Sequence, residues 1–255
     1  MSIELILLII SAFITSSISA VTGMGGGVIL LGIMAFFVPE GYMVIALHGI
    51  IQLFSNTIRT YVFRQYIKTN IIKDFFKGAI VGVLLSTLLI MLLVKFYNVQ
   101  SADQIKFDFL KPVIGFFIIW YLFLKETKKN KKSKSFIWVG WIGGISSIFI
   151  GAIGPLIAPF FLDKSLSKEN IIANKAACQM ITHISKIPIF IIFFKVNYIN
   201  EYSILLPLIL AVYVGTNLGK RILSFISDKI FTTIFKVWLT LIALYLIWPL
   251  FGLGI

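Results

Sequence analysis

The sequence predicts an all-α polytopic membrane protein built as two inverted repeats, each a broken, re-entrant helical hairpin followed by three transmembrane helices. Three observations lead there. The 255 residues are 59% hydrophobic and 13% charged, with a mean hydropathy of +0.99, and several apolar runs approach the ~20 residues that cross a bilayer. Lysines and arginines fall between those runs. The unusual residues of the first half recur in the second at a shift of 127 positions.

The sequence opens Met-Ser-Ile-Glu without the basic stretch of a signal peptide, so the first segment, 2–38, reads as a retained helix. It is interrupted by Gly23-Met-Gly-Gly-Gly27. Glycine inside a helix costs about 1 kcal/mol against alanine, so four in five positions mark a break. Residues 42–63, 75–94 and 110–124 then read as plain crossing helices. A lysine-rich stretch, 125–135, carries no aromatic residue to stack a base, and reads as a solvated cytoplasmic connector rather than a nucleic-acid patch. Segment 136–162 is broken in its turn, at Gly151-Ala-Ile-Gly-Pro-Leu-Ile-Ala-Pro159. Residues 176–194, 202–219 and 231–248 complete the set. The organisation is therefore a first repeat over 1–124, a linker over 125–135 and a second repeat over 136–255.

Charge placement decides how the broken segments run. If each crosses once, with the linker inside, 11 basic residues lie inside and ten outside, which is no bias. If each returns to the side it entered from, the connections 164–175 and 220–236 also fall inside. The balance becomes 17 inside against four outside (Lys95, Lys106, Lys111, Lys195), with Arg59 and Lys186 left within spans. The positive-inside rule selects the second arrangement, with both termini on the exterior. Inverted repeats with broken helices are a recurring plan for secondary transporters, with the substrate near the repeat interface.

The 127-residue shift superimposes Gly27 on Gly154, Gln52 on Gln179, Asn56 on His183, Arg59 on Lys186 and His48 on Lys175. At 3.6 residues per turn, positions 48, 52, 56 and 59 share a helix face, as do 175, 179, 183 and 186. Irregular backbone at membrane depth survives only where protein buries it or it lines a cavity. Two such breaks meeting at the midplane, with Gly25, Gly26 and Gly27 in one and Gly154 in the other, would turn free N–H groups toward an anion. Isolated glycines such as Gly82 and Gly115 read instead as points of close helix packing.

Gly-Met-Gly-Gly-Gly-Val-Ile-Leu-Leu-Gly at 23–32, with its degenerate second copy at 151–159, resembles the glycine-rich motif of the sulfite exporter TauE/SafE permease family. The resemblance covers nearly the whole chain. Gly32 stands where a proline is common, and the second motif lacks the glycine triplet. The family comprises inner-membrane carriers linked to sulfite, sulfonates and related organosulfur anions. The resemblance thus implies a multi-pass carrier in the cell membrane whose partners are a small sulfur oxyanion or organosulfonate and the lipid bilayer.

Intramembrane polar residues give the candidate site. Lys186 sits near the centre of its span, two residues before Pro188, and an intramembrane lysine is a functional hypothesis by default. Arg59 has two registers: hydropathy puts it near the cytoplasmic end, where it would snorkel, and the repeat puts it as deep as Lys186. None of the ten acidic residues lies deep in an expected span. Buried cations without carboxylates favour an anion site and argue against sodium coupling or a carboxylate proton relay. Gln52, Gln179 and Asn56 would donate amide protons to it or bridge helices, and His48 and His183 are candidates for proton coupling or for bonds across a helix interface. Cys178, the one cysteine, reads as a buried apolar residue. No cofactor, metal or catalytic residue is expected. The functions in contention are an anion carrier and, on the same scaffold, a passive anion channel. An intramembrane enzyme would need a nucleophile with its base.

Overall fold

The computed structural model describes residues 3–23, 25–38, 40–100, 102, 110–124, 136–162 and 166–251. The basic linker 125–135 lies outside them, as do Met24, Pro39, Lys164 and the chain ends.

Among the described residues ten α-helices follow in order: α1 Ile3–Thr22, α2 Gly26–Phe37, α3 Gly41–Val62, α4 Thr69–Phe96, α5 Leu110–Ile119, α6 Phe136–Ile150, α7 Gly154–Ile157, α8 Lys168–Phe193, α9 Tyr202–Leu223 and α10 Asp228–Ile247. Six of them (α1, α3, α4, α8, α9, α10) are long and apolar enough to cross a membrane. α5 continues through a π-helical turn, Trp120–Leu124, and α7 through a 3-10 turn, Ala158–Phe161. The chain is a multi-pass, all-helical membrane protein. Its outward faces suit acyl chains: Leu84, Leu88 and Leu92 of α4 are all more than half exposed, as are Leu206 and Leu210 of α9.

Both expected breaks are present. α1 ends at Gly23 and α2 restarts at Gly26, only 12 residues long. α6 ends at Gly151 and the chain restarts at Gly154, where Pro155 opens the four-residue α7. Gly23 and Gly151 take φ of 73° and 74°, the left-handed conformation that closes a helix and that side chains oppose.

The helices pair reciprocally. α1 lies along α9, and α4 along α6, while α3 packs on α8 and α5 on α10. Glycines set the closest of these approaches. Gly140 rests on the Phe75 carbonyl and Gly144 on that of Ala79, leaving no room for a β carbon at either position. In the other pair, Gly215 rests on Phe13 and Ser16, and Gly219 on Ser17 and Ala20. Residue numbers rise together in both pairs, so each is parallel. Small residues at such contacts let backbones approach where lipid offers no hydrophobic drive. Gly82 against Trp141 and Gly115 against Ala243 do the same, in agreement with the packing role expected of them.

α3 and α8 run antiparallel. His48 stands opposite His183 near one end, while at the other the Lys68 amide donates to Asn174 and Asn170 donates to the Tyr66 carbonyl. Here the sequence reading needs a correction. α8 starts at Lys168, not near 176, because Ser167 and Asn170 form a reciprocal capping box that fixes the first turn. Lys175 is therefore two turns inside a helix and 1% exposed, not part of a cytoplasmic connection.

Candidate functional site

α3 and α8 bring their polar faces together where the two breaks meet. Between them is a cavity of about 20 Å³, lined by Arg59, His48 and Gln52 of α3, by Lys175, Gln179 and His183 of α8, and by the breaks at Gly25, Gly27, Ala152 and Gly154. That volume holds about one water molecule, too little for an anion in this conformation.

Two pairs of residues matched by the 127-position shift, Gln52 with Gln179 and Gly27 with Gly154, make similar contacts. Gln52 lies against the α carbon of Gly27, where a β carbon would sit 3.1 Å from its Oε1. Gln179 lies against Gly154 in the same way, with 2.9 Å to its Nε2. Each break thus approaches a glutamine so closely that a β carbon would oblige that side chain to shift. Gly26 is turned away: it faces the Thr15 carbonyl and Ser19 Oγ of α1, and serves the packing of the hairpin rather than the cavity wall.

Three basic side chains are buried here. Arg59 is 2% exposed and lines the cavity, so protein encloses it on α3. Its Nη2 donates to Ser55 Oγ at 3.0 Å, and its Nε has no partner. Lys175 donates to the Gly23 carbonyl at 2.6 Å and to Gln179 Oε1 at 3.2 Å. Lys186, 2% exposed, donates to the Gly151 carbonyl at 2.5 Å and lies outside the cavity wall. Each lysine therefore caps the C-terminal end of a broken helix, Lys175 that of α1 and Lys186 that of α6, where an ammonium meets both free carbonyls and the negative end of the helix dipole. None of the three has a carboxylate partner among the described residues, whose one recorded ion pair is Lys168–Glu169.

Unpartnered polar atoms concentrate at the same place. His48 uses Nε2 to donate to the Gly27 carbonyl at 2.7 Å, because a carbonyl can only accept, and its Nδ1 is left bare. His183 has neither ring nitrogen bonded, and Asn56, fully buried, has neither side-chain atom bonded. The two imidazoles meet nearly edge-on, their centroids 6.4 Å apart. An unmet buried polar group costs about 1–3 kcal/mol, and such a cluster beside a cavity is what a polar ligand would satisfy.

Sequence reasoning missed Lys175 as a buried group. The signal was present: it matches His48 in the repeat and shares a face with Gln179, His183 and Lys186. Among the described residues no cluster of metal-ligating side chains occurs.

A family model described as sulfite exporter TauE/SafE matches residues 8–246. Searches of curated proteins and of solved structures return no match. The chain belongs to the sulfite exporter TauE/SafE family, a family of membrane transporters.

Proposed function

We propose that this family member carries a small sulfur-containing anion across the cell membrane by alternating access, binding it in the cavity between α3 and α8. The observation that carries the reading is that Arg59 and Lys175 line the same cavity with no carboxylate beside them among the described residues. A buried cation left unpaired is costly, and an anionic substrate supplies the missing charge. Gln52, Gln179 and Asn56 supply further donors, the breaks at Gly25, Gly27 and Gly154 supply backbone, and His183 or His48 would carry a proton with the anion. Lys186 acts through the second break, whose carbonyl it holds.

The two halves work as inverted repeats in this scheme, with 1–124 and 136–255 as the repeating units and the 125–135 linker on the cytoplasmic side. The antiparallel α3 and α8 support it: if repeat-related helices that both cross the membrane run in opposite senses, the axis relating them lies in the membrane plane. A thermal-shift screen of purified protein against sulfite, thiosulfate, sulfoacetate, taurine and simple carboxylates tests the substrate, since a ligand stabilises the state it binds. Counter-flow in liposomes tests the mechanism. A carrier shows trans-stimulation and a channel none.

A further inference from the structure

We propose that the groove between the C-terminal end of α5 and the first half of α10 holds one phospholipid with an anionic headgroup. Its phosphate sits on Lys236, and an acyl chain runs along Phe123, Val237 and Leu241. The site lies apart from the α3–α8 cavity and does not depend on what that cavity carries.

Antiparallel packing of the two helices makes the groove. At one end they touch, where a β carbon on Gly115 would stand 2.7 Å from the Ala243 carbonyl. At the other, α5 runs into its π-helical turn, and a space of about 310 Å³ opens there. Among the described residues it is lined by Phe123, Thr233, Lys236, Val237, Thr240 and Leu241. Phe123, Val237 and Leu241 are each more than half exposed, so the groove opens sideways to the membrane. The opposite face of α10, with Phe231, Phe235 and Trp238, lies against Gly23 and Gly25 of the first break.

The charge in this groove is unanswered. Lys236 is exposed on a helix long and apolar enough to cross a membrane, eight residues from its start, or about 12 Å along the axis. No acceptor meets its ammonium among the described residues. α5 carries no acid, and Asp228, the one acid of α10, accepts instead from the Lys168 amide of α8. The hydroxyls of Thr233 and Thr240 donate to the carbonyls of Lys229 and Lys236, so the ammonium is the donor left for a ligand. Lys229, seven residues before Lys236, shares its face and adds positive charge toward the helix start.

A cation at one end of an apolar, laterally open groove is the complement of an amphiphile with a negative head. A soluble anion would gain nothing from the apolar wall. A zwitterionic lipid brings its own cation beside the phosphate and gains less from Lys236. Basic residues at the cytoplasmic side of membrane helices attract anionic headgroups in this way, and in the inverted-repeat scheme this end of α10 is cytoplasmic.

Native mass spectrometry of the full-length protein tests the assignment, with phosphatidylglycerol and phosphatidylcholine of identical acyl chains supplied in equal amounts. The wild type should retain one phosphatidylglycerol in preference to phosphatidylcholine by about fivefold or more. In Lys236→Gln that preference should fall close to one, and in Lys236→Arg, which keeps the charge, it should persist. Val237→Trp fills the groove without altering charge and should lower retention of both lipids. Lys77→Gln removes an exposed lysine of α4 and should leave the preference unchanged. Excess glycerol phosphate, a headgroup without acyl chains, should not displace the lipid. Equal retention of the two lipids by the wild type overturns the proposal, as does a preference that survives Lys236→Gln. An equal loss in Lys77→Gln would mean that general surface charge attracts the lipid, and displacement by glycerol phosphate would mean a site for free phosphate; either result also rejects it. If Lys236→Gln fails to fold, the wild type, Lys236→Arg and Val237→Trp still decide.

Discussion

The ammonium of Lys175 reaches from α8 to the end of α1 and donates to the carbonyl of Gly23, 2.6 Å away. Lys186, on the same helix, makes the corresponding bond to Gly151 at the end of α6. Both acceptors are left-handed glycines that end a broken helix. One helix, α8, thereby holds both breaks. If the cavity binds an anion as proposed, that anion would compete with the Gly23 carbonyl for Lys175.

The glycine conformation gives the first expectation. Gly23→Ala and Gly151→Ala place a β carbon at φ above +70°, which costs about 1–2 kcal/mol. At Gly23 the new atom also meets Phe235 at 3.2 Å, and at Gly151 it meets Leu31 at 3.2 Å. Both variants should melt earlier in detergent than the wild type. Gly41→Ala, with nothing within 4 Å and no left-handed φ, is the control and should be neutral. Equal melting of all three would remove strain from the account of the breaks.

Much of this arrangement was legible beforehand. Periodic apolar runs marked α3, α4, α8, α9 and α10 because a membrane helix must satisfy its own backbone and face lipid, which leaves a strong compositional trace. The breaks were legible because four glycines in five positions have few other uses. Lys175 was not, because a lysine near the end of an apolar run reads as a loop charge. Only the Ser167 capping box, which extends α8 by two turns, puts it inside. Gly26 was misjudged for a related reason. Sequence shows that a triplet is small but not which member faces α1 and which faces the cavity. The parallel pairing of α4 with α6 left only scattered glycines, since close approach needs small residues on two distant segments at once.

That pairing supplies the next test. Gly140→Leu would drive a side chain into the Phe75 carbonyl at the α4–α6 contact, and overpacking of this kind commonly costs about 1–3 kcal/mol. The variant should lose monodisperse, folded protein on size-exclusion chromatography. Gly32→Ala, whose nearest neighbour is the Tyr245 hydroxyl at 3.8 Å, should not. Normal behaviour of Gly140→Leu would mean the two helices do not meet there.

Sidedness is open to labelling in a Cys178→Ala background, where the one native thiol, itself buried, is gone. Ser167 and Ser227 are both helix N-caps, so replacing them would weaken α8 and α10. Phe225 and Ile199 are better sites, being 89% and 80% exposed in the turns at opposite ends of α9. In the inverted-repeat scheme Phe225→Cys is cytoplasmic and Ile199→Cys external. A membrane-impermeant maleimide should label the second in intact cells and the first only after lysis. The reverse pattern would invert the protein, and labelling of both from outside would rule out a crossing α9.

Arg59 and Lys186, matched in the repeat, should separate in function. Arg59 lines the cavity with its Nε unbonded, so its charge is available to a ligand. Lys186 is committed to the Gly151 carbonyl and stands behind the wall. Removing one partner of a buried ion pair commonly costs about 3–5 kcal/mol, and each 1.4 kcal/mol is tenfold in affinity. Arg59→Gln should therefore weaken anion binding by on the order of a hundredfold or more, with little change in melting temperature without ligand. Lys186→Gln removes a charged hydrogen bond worth about 1.5–3 kcal/mol from the end of α6. It should lower the ligand-free melting temperature first and affinity only secondarily, and Lys186→Arg should recover part of that stability. Ligand-free melting curves and binding isotherms on the same preparations distinguish the two. If Lys186→Gln loses affinity as steeply as Arg59→Gln while its stability holds, Lys186 turns from Gly151 to the anion during binding, and the cavity gains a third cation.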